Sequence, residues 1–235
     1  MKRQEVAVLV SKFGQKYSEL LGINVACKAD AEIFKWFLAS LLFGAPITEK
    51  AAVKTYQCFG KHGVLSPAVI LKTGWDGLVR ILDEGSYTRY DFKTADKLLE
   101  VAKNLAKEYG ESLNLLHQKA SDSVDLEKRI KSLGKGIGDT TVSIFLRDLR
   151  GIWKKADSNP THLAVFAAEK TGIIGKDSAL PVLAQLKRFW SKNAVEGQSF
   201  VNFETALLRL GKDFCRKEKC LACPVRQSCL SRKAL

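Results

Sequence analysis

Residues 126–163 read LEKRIKSLGKGIGDTTVSIFLRDLRGIWKKADSNPTHL. Apolar residues recur at helical spacing on both sides of three glycines, which are Gly134, Gly136 and Gly138. Each glycine inside a helix costs roughly 1 kcal/mol relative to alanine, so three in five residues mark a turn. The pattern predicts a helix, a glycine hairpin, and a second helix that begins at about Asp139.

The hairpin has the features of an anion site. Gly136 and Gly138 lack a Cβ atom, so their amides can approach a ligand closely and adopt positive φ. The N-terminus of the next helix adds free amides and the positive end of its dipole. Lys131 and Lys135 lie beside it in the sequence, so a nucleic-acid phosphate is the expected anion. An ordinary helix connection that ends in a glycine C-cap is the alternative.

The chain is basic and globular in composition. Its 235 residues hold 38 lysines and arginines against 25 acids, a formal charge of +13, which favours a polyanionic partner. A ribosomal or membrane-surface role would fit the charge equally well. No apolar run of 18 residues predicts a membrane span, and the start lacks a signal-peptide pattern. We therefore expect an intracellular protein, in which disulfides are disfavoured.

The apolar pattern predicts an all-α fold. Segments 1–25, 30–43 and 92–108 carry apolar residues at helical spacing, and further short segments follow the same rule. A break is expected at Gly74. Trp36 and Trp190 fall on apolar stripes and are predicted to lie in the core, whereas His117 is expected at the surface.

Four of the six cysteines are close together near the C-terminus, in the pattern C-x4-C-x2-C-x5-C. They are Cys215, Cys220, Cys223 and Cys229. In an intracellular chain this spacing indicates metal ligation. A compact loop favours a [4Fe–4S] cluster, and zinc is the less favoured alternative. Cys27 and Cys58 are predicted to be small core residues.

These signals occur in a familiar order. Residues 133–141 resemble the L-P-G-V-G-x-K-T hairpin of the helix-hairpin-helix DNA glycosylases of the endonuclease III superfamily. Residues 157–159 (Asp-Ser-Asn) resemble the triplet that carries that family's catalytic aspartate, and residues 85–89 resemble its G-x-Y-x-x-K segment. The cysteine spacing is similar to its C-x6-C-x2-C-x5-C, two residues shorter in the first gap. The resemblance covers most of the chain, about residues 34–229.

The resemblance implies a two-lobed fold. One lobe is a six-helix barrel over about residues 31–155. The other is a discontinuous helical domain that joins residues 1–30 to 156–235 and carries the cysteine loop. It further implies a monomer that binds double-stranded DNA between the lobes, with the target base flipped out, and a monovalent cation at the hairpin.

The same resemblance implies a base-excision enzyme. Bifunctional members carry a nucleophilic lysine where this chain has Thr140, so we expect a monofunctional glycosylase without AP-lyase activity. Asp157 would stabilise the cationic sugar and orient or deprotonate the attacking water. The alternative for Asp157 is a helix N-cap before Pro160. Tyr87 would either line the base pocket or pack in the barrel.

The expected DNA contacts come from the hairpin and the start of the next helix. They are Lys135, Gly136, Ile137, Gly138, Thr140 and Thr141. Two other functions stay open on the sequence. One is a non-catalytic iron–sulfur protein that recognises DNA structure or a repair partner, and the other is an RNA-binding zinc protein.

Overall fold

The computed structural model describes residues 1–175 and 178–230, and this part of the chain is all-α without a β-strand. The predicted all-α class is therefore confirmed. The helices are α1 (Arg3–Phe13), α2 (Tyr17–Leu20), α3 (Asp30–Phe43), α4 (Glu49–Lys61), α5 (Pro67–Glu84), α6 (Asp91–Tyr109), α7 (Leu113–Lys119), α8 (Ser123–Ser132), α9 (Asp139–Asp148), α10 (His162–Lys170), α11 (Val182–Asn193) and α12 (Phe200–Leu210). Among the described residues, none of these helices is long and apolar enough to cross a bilayer.

The chain divides into two compact units. The first is continuous and runs from Leu21 to Ser158, and the second combines Met1–Leu20 with Asn159–Leu235. The sequence placed the corresponding boundaries at residues 31 and 155. The hairpin and Asp157 belong to the continuous unit, and all four clustered cysteines belong to the discontinuous one.

Helix α3 forms the centre of the continuous unit. It is apolar on nearly all sides, as a helix enclosed by others must be, and its buried residues include Trp36 at 0% exposure. The indole Nε1 of Trp36 donates a hydrogen bond of 2.9 Å to the carbonyl of Phe145 on α9. At the end of α3, a Cβ atom on Gly44 would lie 2.0 Å from Oγ1 of Thr141. Glycine at 44 therefore lets α9 pack closely against α3.

Helix α5 breaks where the sequence predicted. It starts on a Ser66 cap, whose hydroxyl accepts from the Val69 amide at 3.3 Å, with Pro67 at the first helical position. Gly74 then adopts φ 67° and ψ 176°, which is not helical. Only glycine takes this conformation without strain, so the kink follows from the residue type.

The discontinuous unit joins the two ends of the chain. Helix α1 packs on α12 and buries Val6, Leu9 and Val10. The contact is supplemented by polar bonds: Asn202 Nδ2 donates to the carbonyl of Gly14 at 2.9 Å, and Arg209 Nη1 donates to that of Phe13 at 2.7 Å.

Both tryptophans predicted to be core residues are buried. Trp190 is 9% exposed, and its ring lies 5.3 Å from that of Phe203 on α12. Trp36 is fully enclosed in the other unit, as described above. The helical spacing of apolar residues was sufficient to place both rings.

His117, which the sequence predicted at the surface, is only half-exposed. Its ring stacks on Trp153 with centroids 4.6 Å apart, and its Nε2 is buried without a hydrogen-bond partner among the described residues. Burial lowers the pKa of His117, and Lys155, whose Nζ donates to the His117 carbonyl at 2.9 Å, lowers it further. Sequence position alone could not show this, because Trp153 arrives from 36 residues downstream.

This environment predicts acid sensitivity. A histidine whose folded pKa lies below its ordinary 6.5 binds its proton more weakly in the folded state. The stability it contributes is therefore complete above pH 6.5 and is lost as the pH falls through the folded pKa. We expect the urea midpoint of the continuous unit to fall between pH 7.5 and pH 5. In His117→Phe, which keeps the stacking, that fall should be smaller. An equal fall in both proteins would contradict the assignment.

Candidate functional site

The glycine hairpin has the predicted boundaries. Helix α8 ends at Ser132 and α9 begins at Asp139. The glycines between them serve different purposes. A Cβ atom on Gly134 would lie 2.9 Å from Cγ2 of Val101, so this glycine allows the hairpin to pack on α6. Gly136 adopts φ +83°, as predicted.

Gly138 does not adopt the predicted positive φ. It has φ −98° and ψ 178° and forms the N-cap of α9, without a side-chain cap bond. A Cβ atom there would meet no atom of the described residues within 4 Å. Neither backbone strain nor internal packing requires glycine at this position. What its small size does provide is open access to the first amides of α9.

The six predicted DNA contacts differ in exposure. Lys135, Gly136, Gly138 and Thr140 are exposed, whereas the side chains of Ile137 and Thr141 are 6% and 4% exposed. The Ile137 amide is also bonded to the carbonyl of Gly134 at 3.3 Å. Ile137 therefore anchors the hairpin to the core and Thr141 packs against α3. Any contact of these two residues with DNA is therefore expected from the backbone and not from the side chains.

Charges around the hairpin are arranged differently from the sequence expectation. Lys131 forms a 2.6 Å ion pair with Asp139 at the start of α9. The backbone amide of Lys135 donates to Oε2 of Glu100 at 2.7 Å, which ties the hairpin to α6. Both contacts fix the loop, but they leave Lys131 already neutralised.

A lysine that the sequence did not suggest lies at the hairpin. Lys97, on α6, places its Nζ 3.7 Å from the position that a Cβ atom of Gly136 would occupy. Its ammonium has no ion pair or hydrogen bond with the described residues, and burial lowers the pKa of Lys97. No local motif predicts that Lys97 lies at the hairpin, because the contact depends on the packing of α6 against residues 134–136.

Asp157 is held in a defined position. The guanidinium of Arg150 donates from Nη1 to the carbonyl of Ala156 at 3.0 Å and from Nη2 to that of Ser158 at 2.6 Å. Nη1 also lies 3.7 Å from Oδ1 of Asp157. The side chain of Arg150 is 4% exposed and that of Asp157 is 52% exposed. A buried cation thus anchors the backbone on both sides of an accessible carboxylate.

The N-cap alternative for Asp157 is wrong. Helix α10 begins at His162, and its N-cap residue is Thr161. The ordinary structural use of an aspartate before a helix is therefore not the use of this one.

Glu127 on α8 connects the hairpin to the Asp157 segment electrostatically. Its carboxyl is partly buried, and burial raises its pKa. Lys131 opposes this rise, Asp139 adds to it, and Arg150 opposes it. Burial is the main cause, and the charges of the hairpin and of Arg150 add smaller contributions.

Tyr87 lies in the core of the continuous unit. Its ring is 1% exposed, and its hydroxyl accepts a 3.3 Å hydrogen bond from Thr94 Oγ1. Burial raises the pKa of Tyr87. This placement favours packing in the barrel over a contact with a base.

The four clustered cysteines lie together. A cavity of about 30 Å³ is lined by all four, with Phe214 and Arg226; they are Cys215, Cys220, Cys223 and Cys229. Burial raises the pKa of the Cys215 thiol to about 11, and the other three thiols add to that rise. Sγ of Cys229 lies 3.3 Å from the carbonyl of Lys170 on α10.

The donor set suits a thiolate-bound metal group. Four soft sulfur ligands are what zinc and iron–sulfur clusters take. Within residues 1–175 and 178–230, however, no three histidine, cysteine or acidic side chains are arranged so that they could hold a metal ion. The four cysteines thus have the right chemistry and line one cavity, but their side chains are not arranged as metal ligands.

The remaining cysteines follow the prediction in one case. Cys58 is 7% exposed and lies in the core, as expected. Cys27 is exposed, with Sγ 3.0 Å from the carbonyl of Asn24, so its predicted burial is wrong. Its apolar sequence neighbours misled the prediction, because it lies in a short 3₁₀ turn at the surface.

The chain matches no model of a known protein family and has no significant match among curated proteins. Function is therefore inferred from the residues and geometry above.

Proposed function

We propose that this protein is a monofunctional DNA glycosylase that hydrolyses the N-glycosidic bond of a damaged or mismatched base in duplex DNA. The observation that carries the proposal is Asp157, an accessible carboxylate fixed by a buried arginine in the same unit as a basic glycine hairpin. The protein would be intracellular and would act as a monomer on a base that is flipped out of the duplex.

Asp157 would perform the chemistry. Loss of the base leaves positive charge on the sugar, and a carboxylate beside that charge lowers the barrier. The same carboxylate can orient a water molecule and accept its proton as the water attacks the sugar carbon. Thr140 carries no amine, so no Schiff base forms and the strand is left intact at an abasic site.

The hairpin would bind the DNA backbone. The amides at the start of α9 and the open approach past Gly138 suit a phosphate. A monovalent cation would bind at the hairpin together with that phosphate. Because Lys131 is paired with Asp139, the ammonium of Lys97 would supply the positive charge at the hairpin. The formal charge of +13 adds long-range attraction to duplex DNA.

The cysteine loop would hold a [4Fe–4S] cluster, with zinc as the alternative. Cys215, Cys220, Cys223 and Cys229 are the ligands. Bound there, the group would fix the fold of the basic tail that carries Arg216 and Arg226, and it takes no part in base removal.

A substrate panel tests the function. The protein is incubated with duplexes that contain uracil, thymine opposite guanine, oxidised guanine or an alkylated purine, and then treated with alkali. We expect alkali-dependent cleavage of at least one duplex and no cleavage without alkali. Metal-replete protein that is inert on every duplex would overturn the proposal.

A non-catalytic DNA-binding protein is the second candidate. It is favoured by Thr140, which stands where an active lyase would carry a nucleophilic lysine. It predicts equal affinity for damaged and undamaged duplexes, a steep salt dependence, and no turnover. Selective binding of one lesion together with turnover would exclude it.

Lys97 offers a test of the DNA interface. In Lys97→Gln we expect binding of damaged and undamaged duplexes to weaken to the same extent, because a phosphate contact carries no base information. The slope of log K against log salt should become shallower by about 0.9, the value for one phosphate contact. Fluorescence anisotropy at several salt concentrations measures both.

The matched control is Lys103→Gln, an exposed lysine on the same helix. It removes the same formal charge at a position away from residues 134–136. Equal slopes for the two variants would mean that Lys97 acts only through net charge, and the assignment would fail.

A further inference from the structure

We infer that Arg150 is the positioning residue for Asp157, and that excision depends on its two-pronged hold on the backbone at Ala156 and Ser158. This inference rests on the proposed function and extends it to a residue that touches neither the DNA nor the reacting atoms.

The geometry separates Arg150 from an ordinary ion pair. Its guanidinium donates to two carbonyl oxygens, at 2.6 and 3.0 Å, and also lies 3.7 Å from the carboxylate. The planar guanidinium presents several donors in a fixed fork, so it can hold two carbonyls that flank one residue. The main chain on both sides of Asp157 is thereby fixed, and its side chain is left accessible.

Burial shows that the hold is built into the fold. A guanidinium that is 4% exposed loses its hydration, and carbonyl bonds must replace the bonds to water. The segment from Gly151 to Ser158 contains no helix, so no helical hydrogen bond occupies the carbonyls of Ala156 and Ser158. Gly151, with φ +78°, turns the chain directly after Arg150, so that the guanidinium and residues 156–158 can meet.

A lysine cannot replace this arrangement. Its ammonium is a point charge on a flexible stem and does not hold two carbonyls in one plane. Arg150→Lys therefore keeps the charge near Asp157 but loses the fixed geometry. Because misplacement of a reacting group by about 1 Å can cost roughly 100-fold in rate, we expect kcat to fall by about that factor. The affinity for DNA should be unchanged.

Four measurements on the whole 235-residue chain test this role. Single-turnover excision and duplex affinity are measured for wild type, Arg150→Lys and Arg150→Ala. Free guanidinium is then added to Arg150→Ala, where it can fill the vacated space and restore part of the rate. Hydrogen–deuterium exchange of residues 154–159 reports how firmly the segment is held, with or without enzymatic activity.

The matched control is Arg147→Lys. Arg147 is also buried on the preceding turn, but its Nε donates to Asp148 at 3.1 Å. A general effect of disturbing a buried arginine would appear in both variants. We expect a rate loss with faster exchange at residues 154–159 only in the Arg150 variants.

The outcomes separate this inference from the proposed function. Wild-type turnover with an unaffected rate in Arg150→Lys would overturn the positioning role. So would unchanged exchange at residues 154–159 in both Arg150 variants. Wild-type protein that is inert on the whole panel would overturn the proposed function itself. Arg150 would then have no role in catalysis.

Discussion

Asp157→Asn is expected to lower the single-turnover excision rate by about 10² to 10⁴, the range that a positioned general base contributes. Asparagine has nearly the same shape, so the contacts that Arg150 makes with the neighbouring carbonyls should persist. What is lost is the negative charge that faces the developing sugar cation and the site that accepts the proton from water. Duplex affinity should stay close to that of wild type, and it is measured by anisotropy beside the rate.

The matched control for this variant is Asp76→Asn, which removes an exposed acid from α5. It raises the net charge by the same amount without touching the hairpin or the 151–158 segment. A comparable rate loss in both variants would mean that charge or stability governs the rate. Full activity of Asp157→Asn would require another base and would remove the mechanism proposed above.

Cys223→Ser is expected to prevent metal binding at the proposed centre in the discontinuous unit. Anaerobically purified wild type should contain about four iron atoms per chain and absorb near 400 nm, as [4Fe–4S] proteins do. The variant should lose both signals. Because a structural metal contributes its binding free energy to folding, the cysteine tail should also become sensitive to trypsin at Arg216 and Arg226.

Cys27→Ser is the control for the cysteine variant, since Cys27 is exposed and lies in the other unit. It should retain iron, colour and resistance to trypsin. One zinc atom in place of iron in the wild type would select the zinc alternative. A wild type that binds neither metal, with a tail that already resists trypsin, would show that the four thiols need no metal to fold.

Local sequence signals predicted those parts of the fold that depend on neighbouring residues. Helical spacing gave the all-α class and the buried tryptophans, and glycine punctuation gave the start of α9 and the break at Gly74. Each of these features is determined within a few residues along the chain. The same holds for the shared cavity of the four cysteines, which lie close together in the sequence.

The features that the sequence did not reveal depend on which helices meet. Periodicity identifies the apolar face of α6 but not the segment that packs on it, so Lys97 could not be placed at Gly136. No local pattern marks Arg150 as a buried residue, yet it is buried because the carbonyls six and eight residues later fold back onto it. The burial of His117 Nε2 was missed for the same reason, since the Trp153 ring that stacks on His117 lies far along the sequence.

The pairing of α1 with α12 has a consequence during synthesis on the ribosome. The first helix emerges almost 190 residues before the helix that covers Val6, Leu9 and Val10. At translation speeds of about 5 to 20 residues per second, those side chains wait roughly 10 to 40 s for their partner. Helix α1 therefore exposes apolar side chains during most of translation, and these side chains are covered only once α12 has been made.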